Sequence, residues 1–286
     1  MTFVIRERPA GDRELRQAAY DGSVFLLPAT RESRALVDLA DAEIRESLGD
    51  DPRTIHERVG DEELFGRIGA LRKSLYCSTN AHEFVAATAA SAGFPRAEAA
   101  IDPARLRLIA HGAGDNPRAA PVYYPHRDTW YGHPMSVVTM WIPLNDLEEH
   151  ETFVFYPERF RVAVPNDSEV FDYDEWVSRG PSLKIGWQDR DASLRARYPT
   201  VLGQGDYGPA RGFSCARGEV LLFSAAHFHR TLPQSRGRSR FSLDARLVHL
   251  ADDRAGLGAP NADSRSRGSA LRDYVMPETA TARVDA

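Results

Sequence analysis

The chain has 286 residues, 42% of them apolar and 27% charged, the balance of an ordinary soluble globular protein. Its formal net charge of −5 speaks against nucleic acid as the main partner, because neutralising phosphates needs a basic surface. No apolar run approaches the roughly 20 residues of a membrane span, and the opening MTFVIRERPAGDREL lacks the apolar core of a signal peptide. The expectation is a cytoplasmic protein that binds neither nucleic acid nor membrane. Only Cys77 and Cys215 are present, too few for a disulfide framework or a thiolate zinc site, so any metal must be held by nitrogen and oxygen.

In chain order, SVFLL (residues 23–27) predicts a short strand. Leu36, Ala40, Ile44 and Leu48 recur at helical spacing, closed by Gly49 as a C-cap. Leu64, Ile68, Leu71 and Leu75 form a second helical stripe, and a third helix is expected over 80–92. From about residue 104 the pattern turns to strands: RLRLIAH, MSVVTMWIPL, ETFVFYP, GEVLLFS and SRFSLDARLVHL are rich in β-branched or aromatic residues and punctuated by Pro, Gly and Asn. Strands following a helical layer suggest a sandwich or barrel buttressed by helices. The expected organisation is one domain over 1–286: a helical buttress over 1–100, a β core over 104–250 interrupted by a polar insertion or lid at 158–212, and a tail or flap over 251–286.

The stretch YYPHRDTWYGHP (123–134) carries the chemistry. His-Arg-Asp occurs in the catalytic loop of protein kinases, but the Gly-rich loop, the lysine strand and the Asp-Phe-Gly that must accompany it are absent. A polar strand end is the bland alternative. A non-haem iron site with two histidines and one carboxylate is the other. In extended backbone, residues i and i+2 share a face, so His126 and Asp128 would supply two ligands with Arg127 pointing away. The third must come from a distant strand, and GEVLLFSAAHFHRTLPQSRGRSRFSLDAR offers His227 and His229, with arginines at 236, 238, 240 and 246. Along the last strand, Phe241, Leu243, Ala245 and Leu247 alternate with Arg240, Ser242, Asp244 and Arg246. If the apolar face packs on helices, the polar face lines a cavity, where buried charge needs partners. A dicarboxylate cosubstrate is one such partner for Arg240, and Ser242 would add a hydroxyl to the same carboxylate. Asp244 and Arg246 are expected to pair with each other.

His126-x-Asp128, followed by Gly218-Glu219-x3-Phe223-x5-His229-x10-Arg240, resembles the phytanoyl-CoA dioxygenase family of Fe(II)/2-oxoglutarate-dependent oxygenases. The resemblance spans most of the chain and is weakest over 158–212. It implies a mainly β fold with flanking helices, a double-stranded β-helix (jelly-roll, cupin-like) barrel. It implies Fe(II), with 2-oxoglutarate and dioxygen as cosubstrates, and a small-molecule substrate whose C–H bond is oxidised, most simply hydroxylated, in biosynthesis. Carried over by position, His126, Asp128 and His229 are the iron ligands and Arg240 binds the distal carboxylate of 2-oxoglutarate. His227 falls two residues short of the pattern and is left as a packing or substrate-pocket histidine. The retained Asp128 distinguishes the chain from halogenases, which lack the carboxylate. Tyr156-Pro157 stands where relatives often carry a Pro-Gly-Ser-His-like turn, so the substrate side does not transfer.

Weaker candidates surround this set. Trp130 and Tyr131 either wall the substrate cavity or belong to the core. Thr139 and Trp141 lie on a strand apolar on both sides, where packing is the default; if that strand lines the cavity, Thr139 faces the cofactors and Trp141 the substrate. Arg107 faces either the pocket or a surface salt bridge, and Asp172 and Asp174 read as a solvated loop or helix start. Two other functions fit the same residues: a cupin-type isomerase or dioxygenase that uses its metal without 2-oxoglutarate, and a non-catalytic ligand-binding barrel.

Overall fold

The computed structural model describes residues 3–116, 119–179, 198–203 and 205–277. Two short strands, β1 (Val4–Ile5) and β2 (Val24–Leu27), flank helix α1 (Asp12–Tyr20). Three longer helices follow: α2 (Arg31–Leu48), α3 (Asp61–Cys77) and α4 (Thr79–Ser91). Helix α2 starts at Thr30, whose hydroxyl accepts from the Ser33 amide, and stops at Gly49, whose φ of +90° favours glycine. Beyond them lie β3 (Ala99–Ile109), β4 (Val138–Pro143), β5 (Phe153–Phe155), α5 (Tyr173–Arg179), β6 (Val220–Ser224), β7 (His229–Thr231), β8 (Arg240–His249) and α6 (Leu250–Arg254). Among the described residues, no helix is long and apolar enough to cross a membrane.

The strands form a six-stranded sheet in the order β1-β2-β6-β4-β8-β3 and a two-stranded sheet of β5 and β7, rather than one closed ring of strands. The described residues also hold more helix than strand, which corrects the expectation of a mainly β chain: this is a mixed sheet with helices. The reason is length. The helical stripes run for three to five turns, whereas several strands break after two to five residues at turns and one-turn helices.

Alternation along β8 fixes which way the sheet faces. Phe241, Leu243, Ala245 and Leu247 join the core shared with Leu36, Ile44, Leu64, Leu71 and Val85 of the helices. Burying each of the larger side chains contributes about 1.5–3 kcal/mol, and a one-residue slip would turn all of them toward the cavity. Strand β3 obeys the same parity until a bulge. Arg105 pairs with Asp244 but Asp102 with Arg246, so β3 carries an extra residue beside Pro103, which has no amide to donate. Arg107 and Arg105 therefore face the cavity at odd positions and Asp102 at an even one, while Ala104 and Ile101 remain in the core.

The segment after β8, expected to be a tail or flap, packs back onto the β core as far as residue 277. Asp263 anchors it. Its carboxylate accepts Arg127 Nε at 3.0 and 3.1 Å, Trp130 Nε1 at 2.8 Å and the Val164 amide at 2.8 Å. The buried Arg127 guanidinium also donates to the carbonyls of Arg159, Val162 and Ala226. Residues 278–286 of the expected tail and 180–197 of the expected insertion lie outside the described residues. Asp263→Ala strands a buried guanidinium, and should cost about 3–5 kcal/mol in urea denaturation. A variant as stable as the parent would show that the anchor carries no weight.

Candidate metal and cosubstrate site

His126 and His229 come together through backbone pairing. The His126 amide donates to the His229 carbonyl and the His229 amide to the His126 carbonyl, each at 3.0 Å. Arg127, between the two proximal residues, is extended (φ −112°, ψ 142°), so His126 and Asp128 project to one side as the spacing predicts. One ligand atom from each of His126, Asp128 and His229 lies within 4.8 Å of the others.

Hydrogen bonds orient all three. His126 Nδ1 lies 2.8 Å from the Tyr124 carbonyl and His229 Nδ1 lies 2.9 Å from the His227 carbonyl. A carbonyl only accepts, so Nδ1 carries the proton on both rings and each Nε2 lone pair is left toward the centre. Asp128 Oδ1 sits 3.6 Å from His126 Nε2 and 4.0 Å from His229 Nε2. Its other oxygen, Oδ2, accepts Thr139 Oγ1 at 3.0 Å and Arg246 Nε at 3.3 Å. Burial opposes the Asp128 charge, but Arg246 and the two imidazoles outweigh it and hold the carboxyl well below its usual range. Burial, helped by His126, pushes the His229 imidazole down to about 4, so at neutral pH the ring is an uncharged donor.

These atoms line a cavity of about 270 Å³. Arg240 and Trp141 line it near one end of β8, the guanidinium 5.7 Å from the Trp141 ring centre. Arg240 is 3% exposed and donates through Nη1 to the Thr152 carbonyl at 2.8 Å; among the described residues its Nε has no partner, nor does the buried hydroxyl of Ser242 two residues along the same strand. Burial without a counter-charge pushes the guanidinium down to about 10. The other arginines of the wall are compensated. Arg105 pairs with Asp102 at 2.8 Å, Arg107 grips Asp244 through two bonds of 2.8 and 3.0 Å, and Arg246 reaches Asp128, Asp102 and Asp244. Among the described residues Arg240 pairs with no carboxylate. A buried guanidinium in the cavity wall with a donor left over fits a carboxylate, whereas Ser242, expected to share that carboxylate, is not among the residues that line the cavity.

The weaker sequence candidates divide. Tyr131 lines the cavity with its ring 5.4 Å from that of His126, and Arg107 lines it too, tied to Asp244 rather than to a surface acid. Thr139 reaches the site through Asp128. Trp130, expected as a cavity wall, is instead fully buried against Phe228 with its indole on Asp263. His227, offered as a substrate contact, does not line the cavity: its ring packs 4.6 Å from Phe160 and 5.2 Å from Phe155. The expected Asp244–Arg246 pair exists at 3.8 Å, but the closer partner of each lies elsewhere. Sequence reasoning left out Asp102, His133 and Tyr274, whose hydroxyl lies 2.9 Å from His133 Nδ1. It also left out the rings of Phe171, Trp176 and Tyr198 from the expected insertion. Asp172 caps the start of α5, accepting the amides of Asp174 and Glu175.

The two histidines can be separated by titration calorimetry with Co(II). His229→Ala should abolish saturable binding with unchanged circular dichroism, whereas His227→Leu should retain it. Retention by His229→Ala would remove that residue from the ligand set.

No protein-family model matches the chain, and no curated protein sequence does. Solved structures with a similar fold include EvdO2 from Micromonospora carbonacea var. aurantiaca, 13% identical, with 87% of this chain and 94% of that chain covered at a TM-score of 0.51. Others are the non-heme alpha ketoglutarate dependent epimerase SnoN from nogalamycin biosynthesis (15% identity, 84% of each chain, TM-score 0.44) and the non-heme monooxygenase ThoJ (12%, 89% of each chain, 0.44). At this identity the likeness to EvdO2 is one of fold.

Proposed function

We propose that this chain is an Fe(II)- and 2-oxoglutarate-dependent oxygenase of the phytanoyl-CoA dioxygenase-like kind, built on a double-stranded β-helix. It oxidises, most simply hydroxylates, a C–H bond of a small or medium-sized metabolite in cytoplasmic biosynthesis. One observation carries this reading: His126, Asp128 and His229 converge in the same cavity as a buried Arg240 that has no carboxylate of its own.

When bound, iron and 2-oxoglutarate supply the activation of dioxygen, with succinate and carbon dioxide as by-products. The chain holds and orients them. The two imidazoles present neutral Nε2 atoms because carbonyls fix their tautomers. Arg240 takes the distal carboxylate of the cosubstrate, a planar fork matched to a planar anion. Trp141 and the Thr152 carbonyl keep the guanidinium in place. Substrate enters on the side walled by Tyr131, Phe171, Trp176 and Tyr198, whose rings offer apolar surface with few polar anchors.

The test is anaerobic titration of the Fe(II)-loaded protein with 2-oxoglutarate, followed by visible charge-transfer absorption and calorimetry. The parent should bind with a weak visible band. Arg240→Ala should weaken binding by about 2–5 kcal/mol, roughly thirtyfold or more in Kd. Iron binding without any 2-oxoglutarate binding would overturn the reading in favour of a metal-dependent isomerase or dioxygenase that does not use this cosubstrate.

A further inference from the structure

The third ligand, Asp128, is the one side chain of the triad able to give a metal two atoms. A carboxylate that chelates through both oxygens fills two positions, and a dianionic cosubstrate binding at two points then competes with it. The surroundings of Asp128 divide its oxygens sharply. Oδ1 faces the Nε2 edges of the two imidazoles, at 3.6 and 4.0 Å. Oδ2 is buried and accepts both Thr139 Oγ1 and Arg246 Nε.

Arg246 is itself fixed from outside the triad. Its Nη1 lies 3.2 Å from Asp102 Oδ2 and 3.8 Å from Asp244 Oδ2. Asp102 is held in turn by Arg105 through Nε at 3.2 Å and Nη2 at 2.8 Å. The β3 bulge is what turns Asp102 toward Arg246. Register supplies the other donor: Thr139 on β4 pairs with Arg246 on β8, so both reach the same oxygen from adjacent strands. A lysine cannot reproduce this, because one ammonium lacks the fork that spans two carboxylates.

We propose that Arg246, braced by Asp102, is a positioning residue that ties down Asp128 Oδ2 so that Asp128 meets the metal through Oδ1 alone, leaving neighbouring coordination positions for a two-point ligand. This rests on the metal assignment of the proposed function. It concerns how Asp128 is used, not which residues bind.

The test uses the full chain loaded with Co(II), titrated separately with acetohydroxamate and with 2-oxoglutarate. Acetohydroxamate is a two-point chelator that needs no Arg240. The parent should bind it. Arg246→Lys should keep the parent's Co(II) affinity, because the released oxygen can join the metal, yet lose roughly tenfold or more in acetohydroxamate affinity (about 1.4 kcal/mol), because that second oxygen must then be displaced. The Co(II) absorption spectrum without chelator should change in the same variant. If Arg246→Lys does not fold, Thr139→Val strips the other donor from Oδ2 and should show the same split to a smaller degree. Unchanged chelator binding and spectrum would overturn the proposal. So would a parallel loss of Co(II), since Arg246 would then build the site rather than restrict Asp128, and so would a parent that binds no acetohydroxamate. A parent that binds acetohydroxamate but not 2-oxoglutarate leaves the positioning role standing and removes the proposed cosubstrate.

Discussion

Charge placed in a wall that is sealed on its other side by apolar core must be compensated inside that wall, and the site follows from how this is done. Strand β8 commits Arg240, Asp244 and Arg246 to the cavity because its alternate residues are fixed in the helical core. An isolated buried ion costs several kcal/mol even after relaxation, so each charge takes a partner where register permits. Arg107 uses Asp244, Arg105 uses Asp102, and Arg246 joins Asp102 to Asp128. Two groups are left over once this pairing is complete. One is Oδ1 of Asp128, a negative atom beside two imidazoles; the other is Arg240, a cation facing an open volume. The complementary ligand is therefore cationic at one end and anionic at the other, which a metal bearing a dicarboxylate satisfies in one assembly.

Much of this was legible in the sequence where periodicity or spacing carries the information. The helical stripes of α2 and α3, the Gly49 cap and the strands β2, β4, β6 and β8 follow from local patterns. The two-residue step from His126 to Asp128 and the two-faced alternation of SRFSLDARLVH each follow from strand geometry alone. Strands β1 and β7, of two and three residues, did not stand out: they have no room for a period, and β7 is held by its partner β5. The mainly β expectation failed because several strands are only two to five residues long while the three longer helices run for three to five turns.

Other failures have different causes. Trp130 and Tyr131 are neighbours in sequence with opposite fates, one drawn into the core by Asp263 more than a hundred residues away and one left on the cavity. Asp102 could not be placed because parity was broken at Pro103, and a bulge is invisible to a period-2 reading. His227, left by the sequence as a packing or substrate-pocket histidine, is the former: its ring is one member of a phenylalanine cluster. For Trp130 a partner far along the chain decides the side chain's direction, whereas for Asp102 the bulge beside Pro103 does.

The two ends of the cavity are consequently held by different physics. Around Asp128 and Arg246 the geometry is set by directional bonds between buried charges, where loss of one member is felt by the rest. The aromatic side is assembled from segments joined by backbone ties: the Tyr173 amide to the Arg267 carbonyl, the Arg267 amide to the Phe171 carbonyl, and the Ala270 amide to the Gly132 carbonyl. Its rings meet edge to face or tilted, Tyr131 against Phe171 at 5.6 Å and Tyr173 against Trp176 at 5.5 Å. Such contacts are non-directional and tolerate substitution at similar volume. Variation on that side can change which molecule is admitted while leaving the metal-facing bonds untouched. The same property explains why the charged side of the cavity is more readable than the apolar side: charge pairing records which partner a buried group requires, and an apolar wall records only a shape.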